Sequence, residues 1–422
     1  MNAARSEAFR SHRYSTSAQV GRPANSPLSS ISRRWDGPDA KAALGGFVDQ
    51  GLKTSTFVGV LAGQPEAELR IGWRSVSFAS QGGGESWRSV LAPYMAPRFR
   101  SALRDLMTSA VPYLALIASM FFALRVSYFL VLALAIPAAG FLIRTFIVFH
   151  DCAHGSFLAS KRANARLGAM LGVLLYMPFA WWRHKHAVHH ATAGDLDRRG
   201  VGDIQTLTVS EYRGRPWWGR LGYRLFRNPL VMFGLGPLWV VLIGPRLVSP
   251  GMNRKLRRSV VGTDLSLALI IAALCWLVGW REFLLVQAPP LLLTGAVGIW
   301  LFYVQHQFEH AYWETNDAWS FDAAAIEGSS HLDLPRILHF FTGNIGFHHI
   351  HHLGVRIPNY NLQAAHQAGG LEPTSTLSLR DALHAVRLKL WDQDQQRLVS
   401  FREAKQTRSH GRIAWSRMAP PD

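Results

Sequence analysis

The sequence predicts an all-α integral membrane protein with four transmembrane helices in two hairpins and a cytoplasmic helical cap. Charged residues make up only 17% of the 422 residues, below the share of about 25% that is usual for soluble proteins. Several apolar runs approach the roughly 20 residues that a helix needs to cross a bilayer. In addition, 14 of the 18 histidines lie between residues 150 and 352. These observations exclude an ordinary soluble enzyme, a disordered protein and a fibrous protein.

The chain before the first apolar run is basic and shows no periodicity. Residues 1–34 contain six arginines, eight serines and one acidic residue, Glu7. This composition is typical of a targeting peptide or a disordered arm, and a start codon further downstream, for example at Met95, is a third interpretation. We predict a basic arm at 1–85, a membrane domain at 86–400 and a tail at 401–422.

The first predicted hairpin joins two apolar runs, Leu106–Leu124 and Val126–Phe149. Arg125 and Ser127 interrupt them and mark a tight polar tip. Arg144 lies near the far end of the second run, where a long side chain can extend to the membrane interface.

The second predicted hairpin joins Leu265–Trp280 to Phe283–Val304, with Arg281 and Glu282 at its tip. Two further apolar stretches, 167–182 and 229–247, contain Gly and Pro. If all histidine clusters meet at one site, the chain must cross the membrane an even number of times between any two clusters. We therefore interpret both stretches as interfacial or re-entrant, which leaves four spans.

The net charge of +18 fits a membrane surface better than a nucleic acid. Residues 155–262 carry 17 Lys or Arg, whereas each hairpin tip carries one Arg, so the positive-inside rule places the histidine clusters on the cytoplasmic side. No nucleic-acid motif accompanies the charge. The only two cysteines, Cys152 and Cys275, cannot form a disulfide framework or a cysteine-based zinc site.

The histidines form three clusters with the spacing of metal ligands on helices. The first is an i, i+4 pair, and the other two repeat the pattern HxxHH, which puts three imidazoles on one helical face. Any one cluster could be an adventitious surface feature, but the repeated spacing argues against that. The eight predicted metal ligands are His150, His154, His186, His189, His190, His348, His351 and His352.

Eight imidazoles exceed the four to six ligands that one metal takes, so we predict two metal ions. All-imidazole ligation favours iron, zinc, copper or nickel over magnesium or calcium. The chain has no HExxH motif of zinc hydrolases, and the neighbouring spans indicate a lipid substrate. Difficult chemistry on an apolar chain requires oxygen activation, which favours iron.

Other residues near the clusters are candidates for a further metal ligand or for partners of the ligand imidazoles. His306 is a tentative ninth ligand, with a role outside the metal shell as the alternative. His184, His310 and His349 miss the repeated spacing and are interpreted as outer-shell or surface residues. Ligand imidazoles need partners for their second nitrogen. The tentative partners are Asp151, Asp195, Asp197, Glu309 and Asn344.

These motifs resemble those of the membrane fatty acid desaturase family. The matching segments are HDCAHGSF at 150–157, WRHKHAVHH at 182–190 and TGNIGFHHIHHL at 342–353. VQHQFEHAYW at 304–313 and RIPNYNL at 356–362 are similar to bacterial omega-6 (Δ12) acyl desaturases.

The resemblance implies a non-haem di-iron centre held by the eight histidines and O2 as co-substrate. Two electrons would come from an external donor such as ferredoxin, because the chain lacks the HPGG signature of a fused haem donor. The expected reaction is the formation of a cis double bond in a long acyl chain, at the omega-6 position of acyl lipids. The expected location is the bacterial inner membrane, with the active site facing the cytoplasm.

Two other classes of function stay open at this point. A di-iron hydroxylase, epoxygenase or carotenoid-modifying oxygenase would use the same ligands but transfer oxygen to its substrate. A metal transporter or sensor would place histidines along a path through the bilayer, whereas these clusters lie at span ends.

Overall fold

Four long apolar helices dominate the structure, a computed structural model that describes residues 87–369 and 375–406. The predicted arm at 1–85 and the end of the predicted tail, 407–422, lie outside the described residues. A short helix α1 (Trp87–Leu91) comes first. The four helices that are long and apolar enough to cross a membrane are α2 (Phe99–Ala123), α3 (Tyr128–His154), α8 (Arg254–Val278) and α9 (Trp280–His306). The prediction of four long apolar helices is therefore confirmed.

Helices α2 and α3 are consecutive and pack against each other. Their connection falls at the predicted place, because the side chain of Ser127 caps α3 by accepting a hydrogen bond from the backbone amide of Phe129. The structure shows the partners of Arg144, which the sequence placed near the interface. Its guanidinium forms an ion pair with Asp105 of α2 and donates to the carbonyl of Phe340.

Helices α8 and α9 also follow each other and pack together, but their boundaries differ from the prediction. The break falls at Gly279, which has a φ of 94°, and Arg281 lies inside the first turn of α9. Glycine takes this backbone region without the steric cost that a Cβ would bring. Helix α8 begins at Arg254, well before the predicted start, because Asn253 caps a charged first turn.

The two ambiguous apolar stretches are each interrupted. The first divides into α4 (Lys161–Leu174) and α5 (Phe179–Thr192), separated by a turn in which Tyr176 adopts a φ of 58°. The second consists of short π-helical and 3-10 turns between Leu230 and Arg246. Together with α7 (Trp217–Phe226) it forms a pair of helices bent by 57°, the geometry of a broken span or a re-entrant loop.

The remaining described elements are short and surround the ends of the long helices. The helices are α6 (Val209–Gly214), α10 (Phe321–Ile326), α11 (Arg336–Phe341), α12 (His348–Leu353), α13 (Asn359–Gly369) and α14 (Leu379–Ala385). The strands are β1 (Leu207–Thr208), β2 (His331–Leu332), β3 (Thr376–Leu377), β4 (Leu390–Asp392) and β5 (Arg397–Val399).

The strands show that the fold is mostly helical rather than purely α. They form a three-stranded sheet in the order β1-β4-β5 and a two-stranded sheet of β2 and β3. Strands β1 and β4 pair in parallel, with Leu207 opposite Leu390. Strands of two or three residues are too short to leave a periodic pattern in the sequence. The partners are also distant in the chain, as the pairing of Leu207 with Leu390 shows.

A buried arginine ties the cap to the end of α9. Arg227 is fully buried and donates to the carbonyl of Gln205, the hydroxyl of Tyr303 and the side-chain oxygen of Gln307. Tyr303 and Gln307 flank His306 at the end of α9, so this network fixes the position of that histidine relative to the cap. The beginning of the predicted tail is part of the folded structure, because Ala404 is buried in a hydrophobic cluster with Tyr212 and Tyr223.

Candidate metal centre

Four helices bring the predicted histidines to one place. Helix α3 ends with His150 and His154, and α9 ends with His306. Helix α5 carries the second cluster, and the whole third cluster lies on the single short helix α12. Helical spacing places the members of each cluster on one face, as expected from the sequence.

The nine histidines separate into two groups, each of which could hold a metal ion. The ligand atoms within a group all lie within 4.8 Å of one another. The five-histidine group consists of His150, His154, His186, His190 and His351. The four-histidine group consists of His189, His306, His348 and His352. His306, the tentative ninth residue, is thus placed among the other three members of the second group.

In the five-histidine group the ring nitrogens point towards a common centre. The Nε2 atom of His190 lies 3.0 Å from that of His186 and 3.1 Å from that of His351. Among the residues described, the buried Nε2 of His154 has no hydrogen-bond partner. Converging lone pairs and an unsatisfied buried nitrogen are the features expected of a metal-binding set.

The four-histidine group has its centre at His306. The Nε2 atom of His306 lies 3.1 Å from that of His189 and 3.0 Å from that of His348. His352 completes the group, with its Nε2 3.1 Å from that of His348. Its ring centroid lies 4.2 Å from that of His190, so the two groups adjoin.

Burial keeps these imidazoles neutral and able to bind a cation. Desolvation, followed by the charges of neighbouring imidazoles, lowers the pKa of His186, His190, His348, His351 and His352 well below the usual range. A neutral imidazole offers a lone pair to a metal, whereas a protonated ring does not.

Three outer contacts hold the ligand rings in orientation. The Nδ1 atom of His150 lies 3.1 Å from a carboxylate oxygen of Asp151, as the sequence predicted for that aspartate. The Nδ1 of His189 contacts the carboxylate of Asp203. The Nδ1 of His306 lies 2.9 Å from the carbonyl oxygen of Gly328.

The other four predicted outer partners make contacts elsewhere. Asp195 and Glu309 form ion pairs with arginines. Asp197 accepts a hydrogen bond from a backbone amide, and Asn344 donates to a backbone carbonyl. Asp195 and Asp197 follow α5 and Glu309 follows α9, whereas Asn344 precedes α12, and none of these four described residues has a hydrogen bond to a ring of the two groups.

Asp203 and Gly328 are the outer partners that the sequence did not reveal. Asp203 lies 14 residues after His189, in a stretch without regular structure. Gly328 contributes only its backbone carbonyl, which any residue would possess. For Asp203, the one signal in the sequence was that an acidic residue lies in the Gly-rich stretch after the second histidine cluster.

The three flanking histidines lie in different surroundings. His310 is exposed and His184 is half-buried. His349 is fully buried, but its ring contacts His331 and His366 rather than either ligand group.

Aromatic side chains pack beside the five-histidine group. The ring of Trp182 stacks on His186 with a centroid separation of 4.4 Å and also contacts Phe146 and Phe149 of α3. On the other side, a small cavity with room for about one water molecule is lined by His189, His306 and Asp203 among others.

Comparison with known proteins gives a consistent family assignment. A family profile described as fatty acid desaturase matches residues 125–374. A fatty acid desaturase of Bacillus subtilis is 46% identical over 75% of this chain and 90% of its own length. A chloroplastic omega-6 fatty acid desaturase of Brassica napus is 31% identical, over 53% of this chain and 50% of its own length. An sn-1 acyl-lipid omega-3 desaturase (ferredoxin) of Synechocystis is 28% identical, over 53% of this chain and 62% of its own length. The matches to the plant and Synechocystis relatives thus span only about half to three-fifths of those proteins.

Proposed function

Because this chain belongs to the fatty acid desaturase family, we propose that it introduces a cis double bond into a long acyl chain at the omega-6 (Δ12) position, using O2 and two electrons from an external donor. The convergence of nine buried or partly buried histidines, three of them at the ends of the membrane-length helices α3 and α9, supports this most directly. It combines a metal-binding set with access to an apolar substrate in the bilayer.

We propose that the five-histidine and four-histidine groups each hold one iron ion. All-imidazole sets suit first-row transition metals, and iron is a member of that series that activates O2 for oxidation of unactivated carbon. Bound iron would supply the removal of hydrogen from two adjacent methylene groups. The protein's own contribution is the ligand geometry and the exclusion of water.

The residues around the five-histidine group provide the dry side of the site. Trp182 stacks on the proposed ligand His186 and rests on Phe146 and Phe149. An apolar chain entering from the bilayer would meet these aromatic side chains before the histidines. Asp151 and Asp203 hold the rings of His150 and His189 in position before the reaction begins. The entropic cost of ordering these rings is therefore not paid during the reaction.

The position of the double bond and the electron donor are inferred from sequence similarity. The segments 304–313 and 356–362 are similar to omega-6 desaturases, and a plant relative carries that activity in its name. Ferredoxin is the proposed donor because the Synechocystis relative is named with it. We propose that the substrate is an acyl lipid of the membrane in which the helices lie.

We propose a bacterial inner-membrane location with two hairpins and a cytoplasmic cap. The tip residues Arg125 and Arg281 would face the opposite side of the membrane from the histidines, in agreement with the concentration of Lys and Arg in residues 155–262. Cysteines introduced at Arg125 and Arg281 should react with a membrane-impermeant reagent only from the non-cytoplasmic side. Reaction from the cytoplasmic side alone would contradict this topology.

Expression in a host that makes only monounsaturated lipids tests the reaction. The wild-type protein should produce a diunsaturated fatty acid, whereas His186→Ala should produce none. His310→Ala is the matched control, because that histidine is exposed and outside both groups, and it should retain activity. A hydroxylated or epoxidised product, identified by the mass of an added oxygen atom, would instead support the oxygenase alternative.

A further inference from the structure

A second concentration of imidazoles lies beside the metal centre and has no part in it. The rings of His331 of β2 and His366 of α13 contact Phe347, and the ring of His349 of α12 contacts both of these histidines. They come from three separate elements, so only the fold brings them together. Their spacing in the sequence matches no recognised metal motif.

The three rings are separated by distances suitable for a shared cation. The ring centroids of His331 and His366 are 4.9 Å apart, those of His349 and His366 are 5.3 Å apart, and those of His331 and His349 are 5.7 Å apart. The same measure gives 4.5 to 4.9 Å for several ring pairs within the five-histidine group. The trio is therefore only slightly more open than the proposed iron ligands.

His349 gives independent evidence that a ligand is needed. Its side chain is 0% exposed, and among the described residues neither ring nitrogen has a hydrogen-bond partner. The Nε2 atom of His331 is also buried without one. A buried polar group without a partner destabilises the folded state, and native proteins normally satisfy such groups with a side chain, water or an ion.

We propose that His331, His349 and His366 form a third metal site, which takes a divalent cation of the zinc class with water as its fourth ligand. Three imidazoles and a water molecule are a common tetrahedral coordination for zinc. His331 and His366 are only partly buried, so the ion and its water can enter from solvent. The bound ion would fasten α12, which carries the third histidine cluster, to β2 and α13.

Binding requires some rotation of the three rings. Among the described residues, only the two groups of the metal centre have three or more ligand atoms within 4.8 Å of one another. Rotation about the side-chain torsions moves a ring nitrogen towards the centre while the centroids shift little. We therefore expect weaker binding at the third site than at the two preformed groups.

Separate counts of iron and zinc test this site. The full-length protein, purified with its iron, is incubated with buffered Zn²⁺, desalted and analysed by mass spectrometry for both metals. The wild type should retain about one zinc per chain in addition to its iron. His331→Gln and His366→Gln should each lose that zinc and keep the wild-type iron content. His310→Gln, an exposed histidine elsewhere, should retain both metals.

Cobalt(II) gives a second readout that does not depend on counting. At the third site it should produce the visible absorption of a tetrahedral, nitrogen-rich complex, which His331→Gln should abolish and His310→Gln should preserve. If the wild type retains no zinc beyond its iron, or if His331→Gln and His366→Gln retain as much as wild type, the site does not exist. Because iron and zinc are counted separately, a failure of the di-iron proposal would change the iron content per chain, whereas a failure of the third site would change the zinc content.

Discussion

Replacing Asp203 should weaken metal binding at the four-histidine group without removing any ligand. Its carboxylate contacts the Nδ1 of His189, and its side chain is only 9% exposed, so solvent screens the contact poorly. Within residues 87–369 and 375–406, the one other outer hydrogen bond to this group comes from the carbonyl of Gly328 on His306. Loss of such an outer partner typically lowers metal affinity about 10- to 100-fold, or roughly 1.4 to 2.7 kcal/mol.

The assay is a competition between the protein and an iron(II) chelator, followed by measurement of the iron retained per chain. Asp203→Ala should release one of two irons at a chelator concentration that leaves the wild type intact. Asp203→Asn should be affected less, because the amide oxygen can still accept the Nδ1–H hydrogen bond. Asp197→Ala is the matched control, since this nearby exposed carboxylate accepts from a backbone amide and touches no ring. Equal iron retention by Asp203→Ala and Asp197→Ala would refute the reasoning.

Three further predictions follow from the geometry. His306→Ala should reduce the iron content from about two per chain to about one, whereas His310→Ala should leave it unchanged, as measured by elemental analysis. Gly168→Ala should lower the thermal stability because its added Cβ would collide with an aromatic ring of α5, whereas Gly262→Ala enters open space and should be neutral. Burial lowers the pKa of His331 from 6.5 to about 4, so its stabilising contribution is complete above pH 6.5 and declines as the pH falls towards 4. Because burial also lowers the pKa of several histidines in the two groups, the test compares metal-free wild type with His331→Gln. The unfolding temperature should fall more between pH 6.5 and pH 4 in the wild type, and an equal fall in both proteins would contradict this assignment.

The membrane part of the fold was largely predictable because its signal is local. Apolar runs of the required length are visible in the sequence, and the first connection falls at Ser127 as expected. The predicted position of the connection between α8 and α9 was wrong because it relied on the charges of Arg281 and Glu282. Gly279, which can adopt a φ of 94°, allows the chain to turn there, and helical backbone then continues through the charged residues.

The cap was less predictable because its contacts are distant in sequence. Two- and three-residue strands such as β1 and β4 become strands only through pairing with a remote partner. The same holds for Arg144, which the sequence placed at the interface. Its partner Asp105 lies on the preceding helix, and nothing in the local pattern around either residue predicts the ion pair.

For the candidate metal centre, helical spacing predicted which imidazoles share a face but not how they divide between the two groups. His186 and His190 lie in one group, whereas His189, between them in sequence, lies in the other. Helix α5 therefore presents ligands to both groups, and its orientation is set by tertiary packing. Outer partners such as Gly328 act through the backbone, for which side-chain identity carries no information.

The division of the histidines has a consequence for how the long helices are joined. The five-histidine group takes His150 and His154 from the end of α3, and the four-histidine group takes His306 from the end of α9. Helices α5 and α12 contribute to both groups. On the proposed function, each ion would link one long helix to the same pair of short helices, so that α3 and α9 would be connected through the metals as well as through packing. Because binding energy at a site formed only by the folded chain adds to its stability, iron should stabilise the arrangement of the long helices and not merely that of the short ones.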